Sequence, residues 1–373
     1  DAVSFRRAFC QNPVCTPSRC SFMTGWYPHV RGHRTMTHML HDDEPMLLTR
    51  LKREGYHVWW GGKNDLLPGQ YDKWYSEAVS EKFKPSPSAR PIWAHDRQAE
   101  WRGDPEGDDY YAMYVGRLDT GDDDIYRDQD WLNVLGAIDF VKNRSAGDPP
   151  FCLYLPLTYP HPPYAVEEPW FSMIDRSAIP DPAPTPEGWA GKPSILKGIH
   201  DGQRLGRWTP ERIRELRAVY LGMCARVDRQ FGMLMEALEA AGVYDDTAVF
   251  VFSDHGDFTG DYGLVEKTQN TFEDCLSRVP LVIKPPSNAP AQPRVSEAMV
   301  ELVDFPATVY DLLGLDAGYT HFGRSLVPVL AGDTDEHRDA VFCEGGRLMG
   351  EEHCKERRHP SPDNLYYPRQ VMQ

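Results

Sequence analysis

Cys15-Thr16-Pro17-Ser18-Arg19, continued by Cys20-Ser21-Phe22-Met23-Thr24-Gly25, is the densest chemical signal in the chain. Read locally, Thr16 caps a helix whose first residue is Pro17. Cys15 then stands just before a helix N-terminus, where backbone N–H groups and the helix dipole favour an anion. Arg19 lies in the first turn and can reach back toward Cys15. An electropositive pocket around a cysteine means either a reactive thiol or an oxyanion site. Three later segments end apolar runs with polar groups. Lys63 follows His57–Trp60 at the mouth of an expected strand, where α/β sheets bind ligands. His161, flanked by prolines, follows Phe151–Leu157 and is held rigidly enough to meet an oxyanion or a leaving group. Asp254-His255-Gly256 ends Ala248–Ser253 and delivers one hard carboxylate oxygen and one imidazole to the sheet's carboxyl edge.

The first motif, with Thr24-Gly25 following, resembles the signature of the sulfatase family, within the alkaline-phosphatase-like superfamily. Gly61-Gly62-Lys63-Asn64-Asp65 resembles that family's strand ending in Gly-Lys-x-His, with Asp65 where histidine is common. The turn at His161, the Asp-His-Gly strand end and Lys267 resemble further family segments. Val303–Thr308 and Gly323–Leu326 resemble its later scaffold, so the likeness runs from about Ala8 to Glu344. The resemblance implies that a maturation enzyme oxidises Cys15 to formylglycine. One hydroxyl of the hydrated aldehyde would attack sulfur. The second would then be deprotonated, so that the carbonyl re-forms and sulfate leaves. It implies catalytic roles for Cys15, Arg19, Lys63, His161 and Lys267, with Lys63, His161 and Lys267 on the substrate. The metal ligands would be Asp254, His255 and the group made from Cys15. Calcium (Ca2+) is the expected ion, because an oxygen-rich site suits it, with Mn2+ or Mg2+ tenable. Family members begin with an apolar strand ending in two adjacent aspartates that complete the metal site. No such strand is visible before Cys15, and Asp42-Asp43 is a poor substitute, since it precedes a helix.

These groups need elements to hold them. Short apolar runs at His57–Trp60, Phe151–Leu157, Ala248–Ser253, Leu281–Ile283 and Ala340–Glu344 read as strands. Glu44–Glu54, Trp131–Arg144, Val300–Leu313 and Pro210–Ala241 read as helices. The last carries an apolar stripe from Ile213 to Leu238, capped by Thr209 and stopped at Gly242. Alternation of this kind predicts an α/β fold, a mainly parallel mixed sheet flanked by helices. The expected organisation is a catalytic core over 1–345 that lacks its first strand, with excursions at about 84–130 and 160–207. Residues 346–373 would begin an incomplete C-terminal region, so truncation at both ends is expected, with weak metal binding as its consequence. The run Asp122-Asp123-Asp124 reads as a solvated face.

Composition bounds the rest. A chain of 373 residues with 41% hydrophobic and 12% aromatic residues can bury a sizeable core. No apolar run approaches the roughly 18 residues of a membrane span. Forty basic against 56 acidic side chains leave a net charge of −16, which argues against nucleic acid as partner. Eight cysteines without CxxC pairs argue against a zinc ribbon or a dense disulfide framework. They lean toward a reducing, cytoplasmic setting. The chain opens on Asp1 without an initiator methionine, so its N-terminus is expected to be missing and the compartment stays unknown. The expected partner is a small-molecule or carbohydrate sulfate ester. The rival readings are a phosphonate or phosphate ester hydrolase, an inactive remnant, and a thiol enzyme using unmodified Cys15.

Overall fold

A computed structural model describes residues 1–36, 38–68, 76–86, 90, 104, 106–108, 110–268 and 270–345. Part of the excursion expected at 84–130 and all of 346–373 lie outside them. The elements run β1 (Val3–Phe9), α1 (Cys15–Thr24), α2 (Leu47–Arg53), β2 (His57–Trp60), β3 (Glu81–Lys82), β4 (Tyr114–Arg117), α3 (Gln129–Lys142), β5 (Phe151–Tyr154) and β6 (Tyr164–Val166). Then follow α4 (Trp170–Met173), α5 (Ser194–Gly202), α6 (Pro210–Ala240), β7 (Val249–Phe252), α7 (Asp274–Ser277), β8 (Arg278–Lys284), β9 (Arg294–Glu301), α8 (Asp304–Leu312) and α9 (Val327–Ala331).

The strands form three sheets, ordered β7-β8-β1-β9, β3-β2-β5 and β4-β6. In the first, β7/β8 and β1/β8 are antiparallel and β1/β9 is parallel. All pairings in the other two are parallel. The fold is therefore α/β with mixed sheets and flanking helices, divided among three sheets rather than running as one.

Several elements differ from the sequence reading. β1 precedes Cys15 and lies inside its sheet, although the reading placed no strand there. Its register slips between Phe5 and Ala8, leaving Arg6 and Arg7 both exposed. That bulge breaks the two-residue alternation by which strands are recognised. β1 contains no aspartate. Ala340–Glu344 is not a strand. Its donors go elsewhere, Phe342 N to Glu301 Oε1 at 2.7 Å and Glu344 N to the Gln11 carbonyl at 2.7 Å. Val300 belongs to β9, so the helix expected from it starts only at Asp304. The excursion at 160–207 holds β6, α4 and α5.

Helix α6 follows the sequence closely. Thr209 caps it by accepting from Arg212 N at 3.3 Å, and Pro210 is its first residue. The buried face includes Leu216, Met223, Leu234 and Leu238, as expected, and also Arg226 and Gln230. A Cβ at Gly222 would stand 2.6 Å from the Trp170 carbonyl, so glycine lets α4 lie against α6. The seven described cysteines are free. Among the described residues no helix is long and apolar enough to cross a membrane.

Candidate active site

Helix α1 starts two residues earlier than its sequence suggests. Val14 is the N-cap and Cys15 the first helical residue, while Thr16 Oγ1 donates to the Met36 carbonyl at 2.9 Å instead of capping. Cys15 is buried at 1% exposure. Arg19 does not reach back to it. Its Nε donates to Asp254 Oδ2 at 2.8 Å, and Ser18 Oγ donates to the Asp254 carbonyl at 2.5 Å. Both groups in the first turn thus tie α1 to the end of β7.

The sheets bring the other groups to the same place. After β2 the chain turns through Gly62 at φ 116°, where a Cβ would sit 2.2 Å from the Pro156 carbonyl. Only glycine allows that approach. Lys63 N then donates to that carbonyl at 2.9 Å, and Lys63 Nζ reaches Cys15 Sγ at 3.3 Å and Asp65 Oδ2 at 2.9 Å. After β7, His255 Nδ1 lies 2.8 Å from the Gly256 carbonyl and therefore carries a hydrogen. Its Nε2 faces Cys15 Sγ at 3.1 Å. A Cβ at Gly256 would stand 1.9 Å from the Cys275 carbonyl, so this turn also requires glycine. After β5, Asp130 Oδ2 accepts from Thr158 N and Tyr159 N at 2.7 and 2.8 Å. The fixed turn presents His161, whose Nδ1 meets the Pro162 carbonyl at 2.6 Å and whose Nε2 accepts from Lys267 Nζ at 2.6 Å. Lys267 also pairs with Glu266 Oε1 at 3.0 Å.

All seven residues singled out from the sequence line one cavity of about 1160 Å3: Cys15, Arg19, Lys63, His161, Asp254, His255 and Lys267. Asp42 and Asp43 do not line it; both are exposed, and Asp43 pairs with Arg31 at 2.9 Å. Three groups were not read as site residues. Ser18 lies inside the motif but carried no assigned role. Asp130 sat at the edge of an acid-rich stretch read as surface. Glu266 gave no signal beyond standing next to Lys267.

The field is strongly local. Burial pushes the Cys15 thiol up, but Lys63 and His255 outweigh it and bring it down to about 7. Burial opposes the charge on His255, yet Asp254 and Cys15 raise it to about 9. Burial also works against the Asp254 carboxylate. Arg19, then His255 and Lys63, reverse this and hold it well below the usual carboxylate range. His161 is driven well below its ordinary value by burial, with Lys267 and Lys63 adding repulsion. Lys267 is raised despite burial, chiefly by Glu266.

Cys15 Sγ, an Asp254 carboxylate oxygen and a His255 ring nitrogen lie within 4.8 Å of one another. Three such donors this close together could share one cation. The group fits a divalent metal as a partial shell, with further positions open to water or substrate oxygens.

The sequence model of the family described as Sulfatase matches residues 1–315. The chain belongs to the sulfatase family. Sulfatases similar to it include arylsulfatase K of Danio rerio, 29% identical over 348 residues, 88% of this chain and 61% of that protein. The chain thus spans about three-fifths of that curated relative. Two solved structures share its fold. One is the phosphonate monoester hydrolase SpPMH from Silicibacter pomeroyi, with 26% identity, a TM-score of 0.67, and coverage of 91% of this chain and 71% of that one. The other is the phosphonate monoester hydrolase of Agrobacterium radiobacter, with 24% identity, a TM-score of 0.73, and coverage of 95% and 76%.

Proposed function

We propose that this sulfatase-family chain forms the catalytic core of a sulfuric ester hydrolase. It would cleave a small-molecule or carbohydrate sulfate monoester with formylglycine made from Cys15. The observation that carries this reading is the placement of Cys15 Sγ, 3.1 Å from His255 Nε2 and 3.3 Å from Lys63 Nζ in a cavity that also holds Lys267 and His161. The cysteine marks where the modified side chain would stand. Lys63 and Lys267 are placed to balance charge on the sulfate oxygens, the usual dominant contribution in such reactions. His161 keeps its hydrogen on Nδ1 and its lone pair toward Lys267. That contact holds the Lys267 ammonium in place, where it would donate a hydrogen bond to the charge developing on the leaving oxygen. Arg19 holds Asp254 ionised and in place.

Cys15 as modified, Asp254 and His255 would hold the divalent ion, which when bound polarises a sulfate oxygen and acidifies a hydroxyl. Calcium is the proposed ion, with manganese and magnesium as alternatives. Titration by calorimetry with each ion decides among them.

The likeness to phosphonate monoester hydrolases supports a second reading, hydrolysis of phosphonate or phosphate esters in the same site. Comparing rates on an aryl sulfate and an aryl phosphonate monoester separates the two. The nucleophile is tested by mass spectrometry of the Cys15 peptide from protein co-expressed with a formylglycine-generating enzyme. Formylglycine lowers the peptide's mass, and Cys15→Ala abolishes turnover. An unmodified peptide together with inactivation by iodoacetamide would favour a thiol enzyme instead.

A further inference from the structure

Three histidines away from the catalytic groups meet in the stretch between α1 and α2. The ring centroids of His33, His38 and His41 lie 5.1, 5.2 and 5.9 Å apart. His38 Nε2 and His41 Nε2 face each other at 3.0 Å, with the two rings nearly perpendicular at 85°. Two ring nitrogens of the same kind at that distance share something between them, either one proton or one cation. The hydrolase reading gives this stretch no role.

The third histidine is a support, because both of its nitrogens are turned to acceptors. His33 Nδ1 donates to the His38 carbonyl at 3.0 Å, and its Nε2 lies 2.9 Å from Glu44 Oε2. Those contacts hold the facing pair from behind. The His38 carbonyl is fixed by His33, and His38 N donates to the Thr35 carbonyl at 3.2 Å. His41 N donates to Glu44 Oε2 at 2.8 Å, and the His41 carbonyl accepts from Glu44 N at 3.1 Å. The Glu44 side chain is fully buried and anchored in turn by Arg31 Nε at 3.1 Å. His33 is 3% exposed, so a buried unit sets the backbone at both facing histidines. Donors held in this way by a rigid outer layer are what a metal site needs.

We propose that His38 and His41 form a second metal site, outside the group of Cys15, Asp254 and His255, that takes a divalent transition-metal ion such as Zn2+. Imidazole nitrogens suit zinc, copper and nickel, whereas calcium and magnesium want oxygen donors. Two Zn–N bonds of about 2.0–2.1 Å at a tetrahedral angle put the nitrogens about 3.3 Å apart, so the rings need part by only about 0.3 Å. Among the described residues no third His, Cys, Asp or Glu joins the pair within 4.8 Å. His41 is exposed and His38 half-buried, so water fills the remaining positions and the ion exchanges readily. The stretch also lies against the reactive helix and the turn after Lys63. Thr16 Oγ1 donates to the Met36 carbonyl at 2.9 Å, and Leu40 N donates to the Leu66 carbonyl at 3.0 Å. Bound zinc would stiffen a segment that touches both.

The test is calorimetric titration of Zn2+ into the full chain and three variants. The parent is expected to take up one equivalent of zinc more than either His38→Asn or His41→Asn. Asp254→Asn is expected to keep that equivalent. His41 is exposed, so its replacement leaves the core untouched. Ring 15N spectra should show the Nε2 signals of His38 and His41 moving together with that equivalent. Equal zinc uptake by the parent and both histidine variants would overturn the proposal and would mean that the pair shares a proton. So would loss of the same equivalent in Asp254→Asn, movement of one ring only, or uptake of Ca2+ that His41→Asn abolishes. The readout needs no turnover, so it stands or falls separately from the hydrolase reading.

Discussion

At the scale of single residues, the motif's arginine acts on the Asp254 carboxylate rather than on the cysteine beside it. Arg19 and Asp254 are 6% and 16% exposed, so each leaves the other stranded if removed. Arg19→Met is expected to cost about 3–5 kcal/mol in urea unfolding, the usual result of leaving a buried charge unpaired. Arg19→Lys keeps the charge but not the guanidinium geometry and should recover only part of that loss. His161 gives a pH signature. Its folded value lies well below 6.5, so below pH 6.5 the unfolded chain takes up a proton that the folded chain refuses. Its contribution to stability is therefore full above that pH. It falls as pH drops, by up to about 1.4 kcal/mol per pH unit until the folded value is reached. His161→Asn should lose less stability than the parent between pH 7.5 and 5, measured by thermal unfolding at each pH. The sequence named both residues. It did not show that Arg19 faces Asp254, because that contact joins positions 235 residues apart.

At the scale of elements, the turn carrying His161 is held by the start of α3. Asp128 caps that helix by accepting from Trp131 N at 2.7 Å, and Asp130 accepts two consecutive amides of the turn. Behind them lies Arg226 of α6, fully buried, paired with Asp128 at 3.0 Å and Glu167 at 2.9 Å, its guanidinium 4.7 Å from the Tyr159 ring. Asp130→Ala orphans two donors. It is expected to cost at least about 2 kcal/mol in chemical unfolding and to lower kcat by about tenfold or more through a displaced His161. Asp130→Asn keeps an acceptor and should lose less of both. Helix α6 was legible because its cap, proline and stripe are local signals. The role of Asp130 was not, because an aspartate near a helix start reads equally well as a solvated acid.

At the scale of the whole molecule, charge and site have opposite signs. The chain carries −16, while Arg19, Lys63 and Lys267 gather at the cavity. Long-range repulsion of an anionic substrate is screened by salt, since the Debye length falls from about 30 Å at 0.01 M to about 10 Å at 0.1 M. Short-range attraction inside the cavity is screened much less. Raising sodium chloride across that range should therefore raise kcat/KM for an anionic ester, by about twofold or more. A fall would show that the local cations already dominate at long range. The α/β class and strands β2, β5, β7 and β8 were legible from apolar runs bounded by glycine, proline and aspartate, whereas β1 and β9 were not. The division into three sheets was not, because sheet membership depends on which edges meet.

The sequence by itself determined the reactive motif, the family, the polar strand ends and the long capped helix. Each rests on spacing over a few residues. Only the tertiary structure decided that Lys63 meets Cys15 across 48 positions and that Lys267 meets His161 across 106. It also decided that Asp254 faces Arg19 and that β5 and β7 belong to different sheets. Those facts follow from the packing of sheets and helices around three hydrophobic clusters. Local periodicity sets which face of an element is buried, but not which distant element covers it.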